Sequence, residues 1–332
     1  MQRGWSAWSR RKLLVAAPAA LATLGTGAAW SQEFPNRPLK IVVPNAAGGA
    51  ADITARALAE KLGLALGHSV VVENKPSAGG VVAAEQVARA PADGHTLLLV
   101  SSGTAVSAAQ FKSLPFDTLR DFAPVSMLAT FDLAIVVSQG GRFNTLADLL
   151  AYGRANPGRL NIGTPNIGTT QNLAAELFKV SASLQAQVVP FNGTPAAITA
   201  LRGGDIDAMV DILGPLLPHI ASRVLRPLAL LGDRRAAQLP DLPTVHESGA
   251  NLAGFHVTSW NGLAVPAKTP ADVVARLSRE VRSAMALPEV QKRLLELNLT
   301  AQGSTPEELG ARLQTDIRRW SEVIARAGLA RL

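Results

Sequence analysis

The sequence predicts an α/β protein of two lobes, each a central, mostly parallel sheet flanked by helices, with two crossing hinge strands between them. Short apolar, β-branched segments alternate with segments of helical spacing from residue 32 onward, which is typical of parallel sheets covered by helices. Two long apolar stretches, 125–137 and 255–265, interrupt this alternation and enclose a separate run of elements. We therefore predict a discontinuous first lobe of residues 32–130 and 258–332 and a second lobe of 131–257, with a ligand cleft between them.

The first lobe begins with a predicted β-α-β-α-β order. Strands are expected at 39–44, 69–74 and 96–100, and helices at 53–62 and 79–89. Pro44 ends the first strand because proline cannot donate to a sheet ladder. Right-handed crossovers place the loops after these strands along one edge of the sheet, where α/β proteins bind their ligands.

The second lobe and the carboxyl-terminal part continue the alternation. In the second lobe, helices are expected at 145–154, from Thr169 and at 195–201, and strands near 160–163, 187–191 and 206–211. After residue 265 the pattern predicts helices at 270–286, 288–297 and 306–327. The first and third of these begin with Thr-Pro, and proline is favoured in the first turn of a helix.

The first 31 residues have the pattern of a signal peptide. A basic segment at 9–12 precedes an apolar run that ends in Ala29-Trp30-Ser31, with small residues suited to cleavage after Ser31. The paired arginines resemble a twin-arginine signal, but ordinary Sec signals carry them too, so both export routes stay open. Pro18 and two glycines break the apolar run, which makes a membrane anchor the less favoured alternative.

The distribution of charge argues against nucleic-acid binding. Four basic residues and no acidic ones lie in residues 1–31, so the rest of the chain carries +3 of the formal +7. Basic and acidic residues are interspersed there, without a basic stripe interleaved with aromatic residues. A mild basic excess of this kind slightly favours an anionic small ligand.

Residue types suited to catalysis or metal binding are poorly represented. The chain has no cysteine, which excludes disulfides, thiolate metal sites and a lipid-anchoring cysteine, and its five histidines lack metal-ligand spacing. Neither a Gly-x-Ser-x-Gly elbow nor a phosphate-binding Gly-rich loop is present. We predict no metal and no cofactor. A periplasmic hydrolase or isomerase acting on a small carboxylate stays open as the alternative to a binding protein.

Two loops of the first lobe are candidate ligand sites. The loop Ala46-Ala47-Gly48-Gly49 joins a strand to a helix, and its glycines can bring backbone N–H groups close to an anion. Asp52 is expected to cap that helix and orient the loop, since a carboxylate would repel an anionic ligand. Ser101, Ser102 and Thr104 follow a later strand and offer hydroxyl and N–H donors, although a hydroxyl there can also be a plain helix cap.

The second lobe supplies the opposing candidates. Thr169, Thr170 and Gln171 should open a helix across the cleft and direct donors at the same ligand. Asp211 could meet an ammonium or hydroxyl group of the ligand, and a structural role in the lobe is an equal alternative.

The ordered motifs of the mature chain resemble those of the Bug/TctC proteins, the extracytoplasmic substrate-binding receptors of tripartite tricarboxylate transporters. These motifs lie at 34–44, 47–52, 72–80, 92–98, 168–171, 203–207, 239–245 and 260–262. The resemblance implies a type II-like periplasmic binding protein fold. It implies a small carboxylate, amino acid or carboxylated aromatic ligand, delivered to the membrane components of such a transporter or to a sensor protein. We further expect a periplasmic monomer in a Gram-negative cell.

Two positions depart from the family pattern. Asn192, before Gly193, replaces the lysine common in the family, and Asn172 stands where a histidine is frequent. Both departures remove potential positive charge and argue against a tricarboxylate. We keep Asn192 and Gly193 among the ligand-binding candidates and expect an anion held by N–H groups and hydroxyls, without an Arg or Lys clamp.

Overall fold

The computed structural model describes residues 1–2, 34–249, 252–326 and 328–332. The predicted signal peptide, residues 1–31, therefore lies outside the described residues except for its first two. The strands are β1 (Leu39–Val43), β2 (Val70–Asn74), β3 (Thr96–Ser101), β4 (Phe122–Ser138), β5 (Leu160–Pro165), β6 (Ala186–Phe191), β7 (Ala208–Ile212), β8 (Leu225–Leu230), β9 (Thr258–Pro266) and β10 (Leu299–Ala301). The helices are α1 (Ala50–Leu66), α2 (Val81–Ala88), α3 (Ser102–Gln110), α4 (Leu146–Ala155), α5 (Thr170–Ser181), α6 (Thr194–Gly203), α7 (Leu213–Ala221), α8 (Ala271–Met285), α9 (Pro288–Leu295) and α10 (Pro306–Arg326).

The long strand β4 belongs to both lobes. Its first part, Phe122 to Asp132, pairs with β9, and its last part, from Leu133, pairs with β7 and β8. The first lobe thus contains β2, β1, β3, β9 and β10, and the second contains β7, β5, β6 and β8. The chain returns at Val257, whose N–H donates to the carbonyl of Leu231 (2.6 Å) just before β9 begins. The predicted α/β class with two crossing segments is confirmed.

Each lobe has a mixed sheet. The pairs β1–β2, β1–β3, β5–β6 and β5–β7 are parallel, as the alternation of strands and helices predicts. The pairs formed by β4 and β9, with each other and with their neighbours, are antiparallel. The crossing strands are therefore antiparallel insertions between two parallel β-α units. The carboxyl ends of β1, β3 and β5, which belong to these parallel units, face the same cleft.

The carboxyl-terminal helices complete the core of the first lobe. Leu309, Leu313 and Trp320 of α10 are buried, as are Val273 and Leu277 of α8. Their spacing of four or seven residues gives each helix one apolar face for the sheet. This packing explains why the first lobe needs both ends of the chain. No helix in the described part of the chain is long and apolar enough to span a membrane.

Candidate functional site

A cavity of about 50 Å³ lies in the cleft between the two lobes. Its wall comes from the loop after β1, the ends of β3 and β5, the start of α6, and the two crossing strands. A cavity of this size accommodates a few water-sized groups. The closed cleft therefore suits a small molecule.

Five helices begin at this cavity. The residues that precede α1, α3, α5, α6 and α7 are Gly49, Ser101, Thr169, Gly193 and Ile212, and all five line it. The first N–H groups of a helix lack intrahelical partners, and its dipole places partial positive charge at that end. Helix starts at one cavity therefore form a site for negatively charged oxygen atoms.

Asp52 and its partners hold the loop after β1 in place. Gly48 has a φ of +81°, which favours glycine, and its N–H donates to Asp52 Oδ2 (3.0 Å). Arg56 Nε donates to Asp52 Oδ1 (2.9 Å), and Asn74 Nδ2 donates to the carbonyl of Asn45 (3.0 Å). Asp52 is the third residue of α1, not its N-cap, which is Gly49. Burial opposes ionisation of Asp52, but the hydrogen bonds from Arg56, Gly48 and Asn74 outweigh it and lower its pKa.

The two lobes contact each other at one end of the cavity. Ser102 Oγ lies 2.5 Å from Thr170 Oγ1 and 2.5 Å from Ser259 Oγ, so one hydroxyl joins the start of α3, the start of α5 and β9. Ser107 Oγ lies 2.9 Å from the carbonyl oxygen of Gly168 across the cleft and 2.9 Å from that of Gly79 in its own lobe, so its single proton is shared between the two carbonyls. These contacts connect closure of the cleft to the geometry of its lining.

Gly193 makes a second contact between the lobes. Its φ of 93° and ψ of 172° lie in a region that only glycine adopts readily. A Cβ atom at this position would lie 2.7 Å from Cβ of Ala46 in the opposite lobe. The absence of a side chain at Gly193 thus allows the loops after β1 and β6 to approach each other.

The structure divides the thirteen predicted ligand-binding residues into two groups. Seven line the cavity: Ala46, Gly49, Ser101, Thr169, Thr170, Gln171 and Gly193. Six lie outside its lining: Ala47, Gly48, Ser102, Thr104, Asn192 and Asp211.

Each residue of the second group has a physical reason for its position. Ala47, Gly48 and Asn192 are exposed at the outer sides of their loops. The side chain of Ser102 is buried in the contact between the lobes. Thr104 Oγ1 accepts a hydrogen bond from the N–H of Ser101 (3.0 Å), which makes Thr104 part of the cap of α3.

Asp211 is fully buried and lies outside the cavity lining. Its Oδ1 accepts hydrogen bonds from Gln171 Nε2 (3.1 Å) and from the N–H of Ile212 (2.7 Å). Burial raises the pKa of Asp211 from 3.8 to about 6, and hydrogen bonds with Thr194, Gln171 and Ile212 offset only part of that increase. Asp211 thus orients residues that line the cavity.

Sequence reasoning missed several lining residues. These are Asn45, Ala50, Ala51, Gly103, Phe131, Pro165, Asn166, Thr194, Ile212, Ser259 and Asn261. Most are neighbours of predicted residues at the same helix starts. Ser259 and Asn261 differ, because they lie on β9, more than 60 residues from any predicted site residue except Asp211. Their signal was available as polar residues in an apolar strand that contains the motif 260–262.

No charged side chain lines the cavity among the described residues. Asn172, one of the two departures from the family pattern, donates from Nδ2 to Thr164 Oγ1 (3.1 Å) and lies outside the lining. The exposed Asn192 also lies outside the lining, so neither departure from the family pattern changes the residues that form the cavity wall. Within the same described ranges, no group of three or more histidine and acidic residues could hold a metal ion.

Comparison with known proteins decides the family. The model of the tripartite tricarboxylate transporter family receptor (TctC) matches residues 54–329. The chain belongs to this receptor family. TctC receptors bind solutes and are not enzymes, so the alternative of a hydrolase or isomerase does not hold.

Curated relatives align with almost the whole length of this chain. A UPF0065 protein from the tcbD–tcbE intergenic region of a Pseudomonas species is 36% identical over 95% of this chain and 94% of its own. Protein BugT of Bordetella pertussis is 32% identical over 93% of this chain and 95% of its own. The predicted Bug/TctC resemblance is therefore confirmed.

Solved structures agree with the fold. Periplasmic binding protein BugD has 31% identity and a TM-score of 0.85 over 90% of this chain and 99% of its own. An R. palustris protein solved with adipate has 30% identity and a TM-score of 0.85, covering 90% of this chain and 100% of its own. MatC from Rhodopseudomonas palustris, solved with bound malate, has 31% identity and a TM-score of 0.82, covering 88% and 100%.

Proposed function

We propose that this TctC receptor captures a small carboxylate in the periplasm and delivers it to the membrane components of a tripartite tricarboxylate transporter. The observation that carries the proposal is the convergence of five of the described helix starts on one small cavity, whose described lining contains no charged side chain. Partial positive charge from N–H groups stabilises a carboxylate there and leaves a cationic or neutral apolar ligand without matched contacts.

The relatives support the chemical class of the ligand. Two of the similar structures contain adipate and malate, which are both carboxylates. In the proposed mechanism, lobe 1 (residues 32–130 and 258–332) and lobe 2 (131–257) close on the ligand. The contacts between Ser102 and Thr170 and between Ala46 and Gly193 then exclude bulk water from it.

The proposed location and partners follow from the receptor role. Residues 1–31 would direct export and be removed after Ser31, leaving a periplasmic monomer. The closed receptor would bind the membrane components of the transporter, or a sensor protein that reads the same ligand. Mass spectrometry of the exported chain tests the first step, since a mature chain beginning at Gln32 is expected and a retained amino terminus would contradict it.

A thermal-shift screen tests the binding function. The exported chain is heated with acetate, lactate, succinate, succinamate, malate, adipate or benzoate, and with the cations of matching size, choline and putrescine. A ligand that binds only the folded state at about one hundred times its Kd adds about 2.7 kcal/mol to the free energy of unfolding. We expect at least one carboxylate, and neither cation, to raise the Tm. A Tm that responds to none of the carboxylates would refute the proposal.

A further inference from the structure

Asn261 is a buried amide without a partner in the wall of the cavity. It lies on β9 between Ser101 of β3 and Ala129 of β4. Its side chain is fully buried and lines the cavity, yet neither Oδ1 nor Nδ2 has a hydrogen-bond partner among the residues that the structure describes. Buried polar groups in folded proteins are almost always hydrogen-bonded. Because β9 is paired on both sides, the backbone of Asn261 is fixed, and the cavity that this residue lines is the place where a ligand can supply the missing partner.

The amide restricts which ligand group can satisfy it. A primary amide has an oxygen that accepts hydrogen bonds and an NH₂ group that donates two. A hydroxyl or carboxamide both donates and accepts, whereas a carboxylate only accepts and leaves the oxygen of Asn261 unpaired. The requirement is the same whichever terminal atom is nitrogen, since both atoms lack partners.

The charge distribution near the cavity also favours a neutral ligand group over a second carboxylate. Gln171 directs Nε2 at the buried carboxyl of Asp211 (3.1 Å), so its oxygen is left as an acceptor for the lining. Asp211 itself contributes negative charge behind that lining when it is ionised. No Lys, Arg or His side chain among the described residues of the lining could pair with a second ligand carboxylate.

We propose that the ligand is a small monocarboxylate that also carries an uncharged hydroxyl or carboxamide group. Its carboxylate lies at the helix starts, and its neutral group pairs with the amide of Asn261. This inference rests on the proposed carboxylate-binding function and narrows it to one class. Dicarboxylates of the length of adipate fall outside that class.

Isosteric ligands test the inference by calorimetric titration. Succinamate, succinate and 4-oxopentanoate share one skeleton. Their distal groups are, respectively, a neutral donor and acceptor, a charged acceptor and a neutral acceptor. Lactate and propanoate form a shorter pair that differs by one hydroxyl. We expect succinamate or lactate to bind at least tenfold more tightly than its partners, a difference of about 1.4 kcal/mol.

Two asparagine variants assign the preference to a residue. Asn261→Leu replaces the unpaired amide with an apolar group of similar size, and we expect it to reduce the preference to less than about threefold. It should also raise the Tm of the unliganded protein, because it removes a buried polar group without a partner. Asn172→Leu is the matched control. It removes a buried amide that already has a partner outside the lining, so it should lower the Tm and leave the preference intact.

The outcomes separate this inference from the function on which it rests. The inference would be overturned, and the receptor function left standing, if neither succinamate nor lactate bound more tightly than its partners, or if the preference were unchanged in Asn261→Leu. Absence of binding by every carboxylate in both sets would overturn both.

Discussion

The contact between Ala46 and Gly193 makes Gly193→Ala a test of closure. Substitution adds a Cβ atom that would lie 2.7 Å from Cβ of Ala46 when the cleft is closed. It also places alanine at φ 93° and ψ 172°, where side chains are strained. The strain affects the folded protein whether the cleft is open or closed. The steric overlap affects only the closed state.

The two effects have comparable but separable magnitudes. Backbone strain in this region costs about 1–3 kcal/mol of folding free energy. Overpacking by one methyl group costs a further 1–3 kcal/mol. If it destabilises only the closed state, this cost appears as a loss of ligand affinity of about 5- to 150-fold. The unliganded variant should therefore be less stable than the wild type, and added ligand should stabilise it less than it stabilises the wild type.

Calorimetric titration and thermal unfolding measure these two losses. The titrant is the carboxylate that raises the Tm most in the thermal-shift screen. Gly249→Ala is the control for strain, since Gly249 has φ 141° and ψ 163°, is exposed, and an added Cβ would meet no atom of the described residues within 4 Å. It should lower the Tm and keep the affinity. Ala46→Gly combined with Gly193→Ala should restore most of the lost affinity, because it removes the overlapping methyl group.

The reasoning about closure fails under a specific result. If Gly193→Ala and Gly249→Ala bind the carboxylate equally well, the two loops do not come together in the bound state. If affinity is lost but Ala46→Gly does not restore it, the new methyl group interferes with the ligand and not with Ala46.

Three further variants test individual contacts. Ser107→Ala removes the hydrogen bond to the carbonyl of Gly168, and titration should show about a two- to tenfold loss of affinity. In the wild type, the free energy of unfolding measured by urea denaturation should fall by about 2–3 kcal/mol as the pH rises from 4 to 7, and Asp211→Asn should abolish this fall. The wild type has that fall because the unfolded carboxyl ionises near 3.8 and the folded one only near 6. Asp316→Ala leaves the buried Nε1–H of Trp260 without its acceptor (2.6 Å), which should cost about 1–3 kcal/mol, whereas Asp316→Asn keeps an acceptor. An unchanged urea midpoint in Asp316→Ala, or parallel pH profiles for Asp211→Asn and the wild type, would contradict these assignments.

The fold was predictable where local signals agree with the tertiary structure. The apolar strand before Pro44 became β1, and the hydroxyl of Thr169 caps α5 by accepting from the N–H of Asn172 (3.2 Å). Helix α7 was missed because it contains Gly214, Pro215 and Pro218, which have low helix propensity. Its hydrophobic side chains pack in the second lobe, and that packing depends on residues distant in sequence.

The candidate site was predictable at loops and not at strands. Gly49 and Thr169 lie in the loops that follow β1 and β5, so the topology of parallel sheets indicates that they lie at the cleft. Asn261 lies within an antiparallel strand, and no local rule states which face of that strand reaches the cavity. Its role follows from the pairing of β9 with β3 and β4, which join residues more than one hundred positions apart.

Strand β9 links the ligand to closure of the cleft. Ser259 and Asn261 are two residues apart, so their side chains project from the same face of the strand, and both line the cavity. Ser259 contacts Ser102, which in turn contacts Thr170 of the opposite lobe. A ligand that satisfies Asn261 therefore binds next to the contact between Ser102 and Thr170, which joins the two lobes. No charged pair stands in the lining that the structure describes, so release of the proposed carboxylate ligand on opening of the cleft would not require one to be broken.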